Sequence, residues 1–332
     1  MNYIGSKNKL SKFIFDSVTS VIREDLSDII FCDLFAGTGA IGRKFKPLVK
    51  QVISNDIELY SYILNKNYIE NHSLILYEEL LDELNSLDGV SGFIFEEYSE
   101  NGRGNRLYFS EENGKKIDAI RLKIENWRET NYLSDSQYYF LLCSLLESAD
   151  KIANTASVYG AFLKKIKRSA QKQLIIEPAL FEINNNSHKV YNKDANQLIN
   201  DIEGDILYLD PPYNARQYGA NYHLLNTISE YKRFEPKGKT GLREYVKSNY
   251  CSRAKVESEF EFLIKSAKFK YIFLSYNNEG LMSLDRIREI MSRYGRYDCF
   301  SIDYQRFRSD ASKNRSYSSD STIEYLHLCE KF

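Results

Sequence analysis

Residues equipped for chemistry gather at two places in this 332-residue chain. The first is Asp210-Pro211-Pro212-Tyr213, directly after the apolar run Ile206-Leu207-Tyr208-Leu209. Two adjacent prolines stiffen the backbone and remove two N–H donors, leaving carbonyls that only accept. A carboxylate beside a proline carbonyl is a pair of acceptors suited to an NH₂ group, and Tyr213 adds a flat ring for stacking. Adenine carries both an exocyclic amine and a π-face. A turn-initiating Asp in a plain loop is the alternative, and it fits poorly at the carboxyl end of a central strand, where α/β sheets bind ligands.

The second place is Asp33-Leu34-Phe35-Ala36-Gly37-Thr38-Gly39. Gly37 and Gly39 stand where a strand must turn tightly and let a ligand approach the backbone. An acid about 20 residues on, at the end of the next strand, is suited to accept hydrogen bonds from a ribose. Asp56 fills that position. Read loosely as G-T-G-A-I-G through Gly42, the turn also keeps a dinucleotide-binding dehydrogenase in contention. A phosphate-binding P-loop is absent, because no G-K-[ST] follows the turn.

These groups need a scaffold. The apolar run 29–35, the glycine turn, a short helical piece around Arg43-Lys44-Phe45 and the run 51–56 form a βαβ unit. From 78 to 186 the strand rhythm stops. Residues 78–112 hold ten acids against two arginines, Arg103 and Arg106 in a glycine-rich loop, and 115–149 show helical periodicity. Residues 151–172 reverse the charge, with Lys151, Lys164, Lys165, Lys167, Arg168 and Lys172 and no acid. Strands return at 189–192, 205–210 and 270–276, and alternating segments at 297–307 and 321–329 predict a terminal antiparallel hairpin. The expected fold class is therefore α/β, with a Rossmann-like sheet from residues 1–75 and 187–332 and a mostly helical domain, 76–186, inserted in it.

Composition narrows the classes. Forty-five Lys and Arg against forty-six Asp and Glu give a net charge of −1, which excludes a polycation but allows a local basic face. No uncharged apolar run approaches the roughly 18 residues of a membrane span, and the N-terminus has no secretory core. Five scattered cysteines without a C-x-x-C pair point to a reducing, cytoplasmic setting. The four histidines share no metal-ligand spacing, so no metal is expected.

Tyr3-Ile4-Gly5-Ser6-Lys7, D-L-F-A-G-T-G, Asn55-Asp56 and D-P-P-Y, in that order around an insertion, resemble the Dam-like N6-adenine DNA methyltransferases, many of which belong to prokaryotic restriction–modification systems. N-T-A-S-V-Y-G-A-F-L-K (154–164), R-Q-Y-G-A-N-Y-H (216–223) and L-S-Y-N (274–277) extend the likeness over essentially the whole chain. The resemblance implies S-adenosylmethionine as cofactor, bound by Tyr3, Lys7, Asp33, Phe35, Gly37, Gly39, Asp56, Asp194 and Asp210. It implies Asp210, Pro211, Pro212 and Tyr213 as the catalytic motif, double-stranded DNA as substrate, and the inserted domain as the reader of the target sequence. A restriction endonuclease acting on the same site would be the companion protein.

The base is unreachable inside a duplex, so it must be flipped out, with Tyr213 stacking on it. Phosphate contacts are expected from Lys164, Lys165, Lys167 and Arg168 and from the loop residues Arg306, Arg308, Lys313 and Arg315. Arg103 and Arg106 are candidates for guanine edges. His223 is assigned no chemistry. Competing readings are methylation of a protein glutamine or of RNA adenine, a DNA-binding protein that keeps the fold without turnover, and the dehydrogenase above. Asp rather than Asn at 210 argues against the glutamine enzyme.

Overall fold

The computed structural model describes residue 7 and residues 10–156, 158–305 and 321–332. The chain divides into two compact units. One, built from residues 6–57, 184–217 and 247–332, carries a seven-stranded sheet. Its strands are β1 (Ile30–Asp33), β2 (Gln51–Asn55), β3 (Lys189–Tyr191), β4 (Glu203–Leu209), β5 (Lys268–Asn277), β6 (Gly295–Gln305) and β7 (Ser321–Lys331), in the spatial order β3-β2-β1-β4-β5-β7-β6. The first five run parallel, and β7 inserts antiparallel between β5 and β6.

β1, β4 and β5 are near-continuous apolar runs, as strands covered on both faces must be. On one face Phe31 of β1 stacks on Phe45 with centroids 4.1 Å apart, and Phe45 meets Phe15 of helix Ser11–Val21. On the other, Cys32, Leu207 and Ile272 pack beneath Phe260, Leu263, Ile287 and Ile290 from helices Val256–Ser266 and Leu284–Ser292. Strand order runs outward in opposite directions from β1 and β4, so the crevice of this sheet opens at their carboxyl ends.

The second unit, which includes Glu58–Ile183 and Tyr218–Val246, is mostly helical. Helix Glu111–Glu129 starts at the Ser110 cap, and helix Asp135–Ile152 at a Ser134–Gln137 capping box. Asp118, wholly buried on the first of these, accepts N–H bonds from Gly92, Ile94 and Phe95 and a hydroxyl bond from Tyr231, which secures the start of helix Phe93–Tyr98. The boundaries differ from those read in the sequence. Residues 58–75 join the helical unit because Tyr60 and Ile63 enter its core, with the Tyr60 N–H on the Asn226 side chain. Residues 218–246 join it as well, through helix His223–Glu230, whose Leu224, Leu225 and Ile228 are fully buried there. Among the described residues no helix is long and apolar enough to cross a membrane.

Candidate active site

Four polar residues line the carboxyl edge of the sheet, one per strand end: Asp33 on β1, Asp210 just past β4, Asn277 on β5 and Glu324, which pairs with Asn277, on β7. The glycine turn leaves β1 with Gly37 at φ 52° and Gly39 at φ 73°, a left-handed conformation that costs an L side chain about 1–2 kcal/mol. The Gly37 N–H donates to Asp56 Oδ2 at 2.8 Å, so the acid at the end of β2 and the turn after β1 face one another. Asn55 braces the same edge. Its amide donates to the Leu34 and Lys193 carbonyls at 3.2 and 3.1 Å and accepts from the Lys193 N–H at 3.0 Å.

Asp33 is buried, accepts from the Gly42 N–H at 3.2 Å through Oδ2, and has no hydrogen-bond partner for Oδ1 among the described residues. Burial, then the charges of Asp210 and Asp56, push its carboxyl up to about 8 against the opposing Gly42 bond. Asp33 thus lies between the D-P-P-Y acid after β4 and Asp56 at the end of β2. Phe35 meets Tyr250 edge-on at 5.1 Å and stays half-exposed, a flat face on the turn. Asp194 is exposed and caps helix Ala195–Leu198, with Oδ1 accepting from the Asn196 and Gln197 N–H groups.

Lys7 is almost wholly buried, with Nζ 3.2 Å from Asp210 Oδ1, 3.9 Å from Glu324 Oε2 and 5.8 Å from the Tyr213 ring centroid. Burial opposes its charge, but the two carboxylates outweigh burial and hold the ammonium above the usual lysine range. Burial pushes Asp210 up to about 6 even against Lys7, so at neutral pH it is an ionised acceptor. The Pro211 carbonyl beside it has no donor among the described residues. Tyr213 is half-buried, set edge-on against Tyr276 at 6.1 Å, and its carbonyl takes the Leu281 N–H at 2.9 Å. The edge thus offers a carboxylate, a carbonyl with no donor among the described residues, and an aromatic ring in sequence.

A model of the D12 class N6 adenine-specific DNA methyltransferases matches residues 3–290. The chain belongs to this family. It is an adenine-specific DNA methyltransferase, which displaces the dehydrogenase and glutamine readings. The Type II methyltransferase M.NlaIII of Neisseria lactamica is 60% identical over 332 residues, spanning 100% of this chain and 99% of that protein. M.CviAII of Paramecium bursaria Chlorella virus 1 is 39% identical over 94% of each protein. M.FokI of Planomicrobium okeanokoites is 38% identical over all of this chain, which spans only 53% of that longer protein.

The methyltransferase's basic residues divide by environment. Lys164, Lys165 and Arg168 are exposed and have no carboxylate partner among the described residues. Lys167 instead turns its Nζ onto the Thr155 carbonyl at 2.7 Å. Arg103 and Arg106 converge on the buried Glu97. Arg106 is nearly enclosed, while the Arg103 side chain stays 73% exposed. Tyr3, Arg306, Arg308, Lys313 and Arg315 lie outside the described residues. His223 is buried with Nε2 on the Tyr159 carbonyl at 3.1 Å, and burial pushes it down to about 4, so it packs as a neutral ring. Sequence reasoning passed over Asn55 as a brace, and over Glu324. No motif marks Glu324; an acid in an apolar alternating strand was the available signal.

Proposed function

We propose that the enzyme transfers a methyl group from S-adenosylmethionine to N6 of an adenine flipped out of double-stranded DNA, as the modification partner of a restriction endonuclease acting on the same site. The observation that carries this reading is the shared edge: Asp210, with the uncommitted Pro211 carbonyl, lies on the same sheet edge as the Gly37–Asp56 turn. The unpartnered Oδ1 of buried Asp33 and the left-handed glycines fit a polar ligand pressed close to the backbone. Gly37, Gly39, Asp33, Phe35 and Asp56 would hold the cofactor, with Asp194 as a further contact and Lys7 beside it. When bound, the cofactor supplies an electrophilic sulfonium methyl.

Adenine's amino nitrogen is a weak nucleophile because its lone pair is delocalised into the ring. Asp210 and the Pro211 carbonyl would each accept one N–H, favouring a pyramidal nitrogen with its lone pair presented outward. Tyr213 would stack on the flipped ring, and Pro212 stiffens the loop between them. As the N–CH₃ bond forms and the methyl–sulfur bond breaks to leave a neutral thioether, the nitrogen would become cationic and give up one proton, which Asp210 can take and pass to water. Lys164, Lys165 and Arg168 are suited to DNA phosphates, with Lys167 as a secondary candidate; the exposed Arg103 stays a candidate for a guanine edge, whereas Arg106 is committed to Glu97. The Type II names of the relatives support the restriction–modification setting.

Incubating plasmid DNA with methyl-labelled S-adenosylmethionine and mapping the modified bases tests the proposal. Label at N6 of adenine within one short recurring sequence is expected. Label on cytosine, or none with properly folded enzyme, would overturn it.

A further inference from the structure

One cation is shared by two carboxylates at this edge, the buried Glu324 and the half-buried Asp210. Lys7 Nζ lies 3.2 Å from Asp210 Oδ1 and 3.9 Å from Glu324 Oε2. Lys7 therefore occupies one of the two Asp210 oxygens open to the target amine. Glu324 pairs in register with Asn277 across β5 and β7, and the Asn277 amide reaches its Oε1 at 3.5 Å. Its other oxygen, Oε2, is buried and has no hydrogen-bond partner among the described residues. A buried carboxylate oxygen with no donor is costly, and here it lies within reach of an ammonium that has somewhere better to be.

We infer that Glu324 is a positioning residue for methyl transfer, taking up Lys7 when the target amine displaces it from Asp210. The inference rests on the reading of Asp210 as the amine acceptor. Lys7 has three donors on a flexible stem, and a movement of under 1 Å closes the gap to Glu324. With Glu324 present the ammonium stays charged and buried beside a carboxylate throughout, and Asp210 is released to the base. Without it, Lys7 has no second anchor, and the base must compete with a buried ion pair for Asp210. The groups facing Asp210 are Lys7, Glu324, Asp33 and the phenols of Tyr208 and Tyr213.

The test uses the full-length enzyme with duplex DNA and S-adenosylmethionine. Glu324→Gln should lower kcat by about 10- to 100-fold, the scale of a small misplacement at a reacting centre, with KM for the cofactor little changed. Its acid limb in kcat against pH should move to lower pH, because one negative charge facing Asp210 is gone and Lys7 is left wholly to Asp210. Glu324→Asp keeps the charge and should restore most of the limb and part of the rate. On a Lys7→Met background, Glu324→Gln should add little, since its effect runs through Lys7. Wild-type kcat and acid limb in Glu324→Gln, equal behaviour of the Gln and Asp variants, or a full additive loss on the Lys7→Met background would each overturn the inference. If Glu324→Gln does not fold, the Asp variant alone and on the Lys7→Met background decides between the same outcomes. Asp210→Ala, measured in parallel, separates the two readings: turnover in that variant would overturn the role of Asp210 itself.

Discussion

Two acids on adjacent strands divide the labour through their protons. In the role proposed for it Asp210 must be ionised to accept from the amine, and burial lifts it to about 6. Methyl transfer should therefore fall as pH drops through about 6, and Asp210→Asn should lose turnover across the whole range; a rate flat from pH 5 to 8 in the wild type would contradict this. Asp33 is pushed the same way but further, to about 8, against about 3.9 for an unfolded aspartate. The folded protein then holds a proton that the unfolded chain releases. Stability from this group is complete below about pH 4 and is lost as pH rises through about 8. Asp33→Asn should remove that decline, giving a higher Tm than wild type at pH 8 without cofactor and near-equal values at pH 4. Parallel Tm curves would rule it out. D-P-P-Y and D-L-F-A-G-T-G were legible because each puts unusual backbone chemistry at a strand end. The protonation of Asp33 was not, since it depends on burial and on an acid 177 positions away in the chain.

At the scale of elements, alternation and apolar runs located all seven strands to within a few residues, because strands covered on both faces must be continuously apolar. What alternation misses is how strand ends are tied together. Asn55 connects the ends of β1 and β2 to the segment after β3 through three hydrogen bonds in a buried setting. Asn55→Ala should cost about 2–3 kcal/mol in denaturant unfolding and weaken cofactor binding more than DNA binding. In the helical unit Asp118 plays a comparable part, collecting three N–H groups and a phenol from 92–95 and 231. Asp118→Ala strands all four donors and should cost about 3 kcal/mol or more, visible as a lower denaturation midpoint. The stretch 78–112 stands out in the sequence only for its ten acids, yet one of them, Glu97, is buried between two arginines. Periodicity cannot see a pairing made by a loop that folds back on its own helix.

Over the whole molecule the net charge of −1 says nothing of DNA; how the charges are partnered does. The insertion was legible as a change of rhythm, but its edges were not. Helices 59–65 and 223–230 carry apolar faces that suit either unit, and only packing assigns them. Charge sign alone likewise ranked Arg106 with Lys164, whereas burial separates them. Arg106 gives its guanidinium to Glu97, while Lys164, Lys165 and Arg168 keep theirs to solvent with no carboxylate among the described residues. Each phosphate that a protein neutralises steepens the dependence of log K on log salt by about 0.9 on duplex DNA. Replacing Lys164, Lys165 and Arg168 with Gln should flatten that slope by about 0.9 for each phosphate no longer neutralised, weaken DNA of any sequence alike, and leave cofactor affinity unchanged. Arg106→Gln should behave in the opposite way, lowering the unfolding midpoint with the salt slope retained. Titrations of duplex DNA at several salt concentrations distinguish the two, and an unchanged slope in the triple variant would remove the 164–168 segment from the DNA interface.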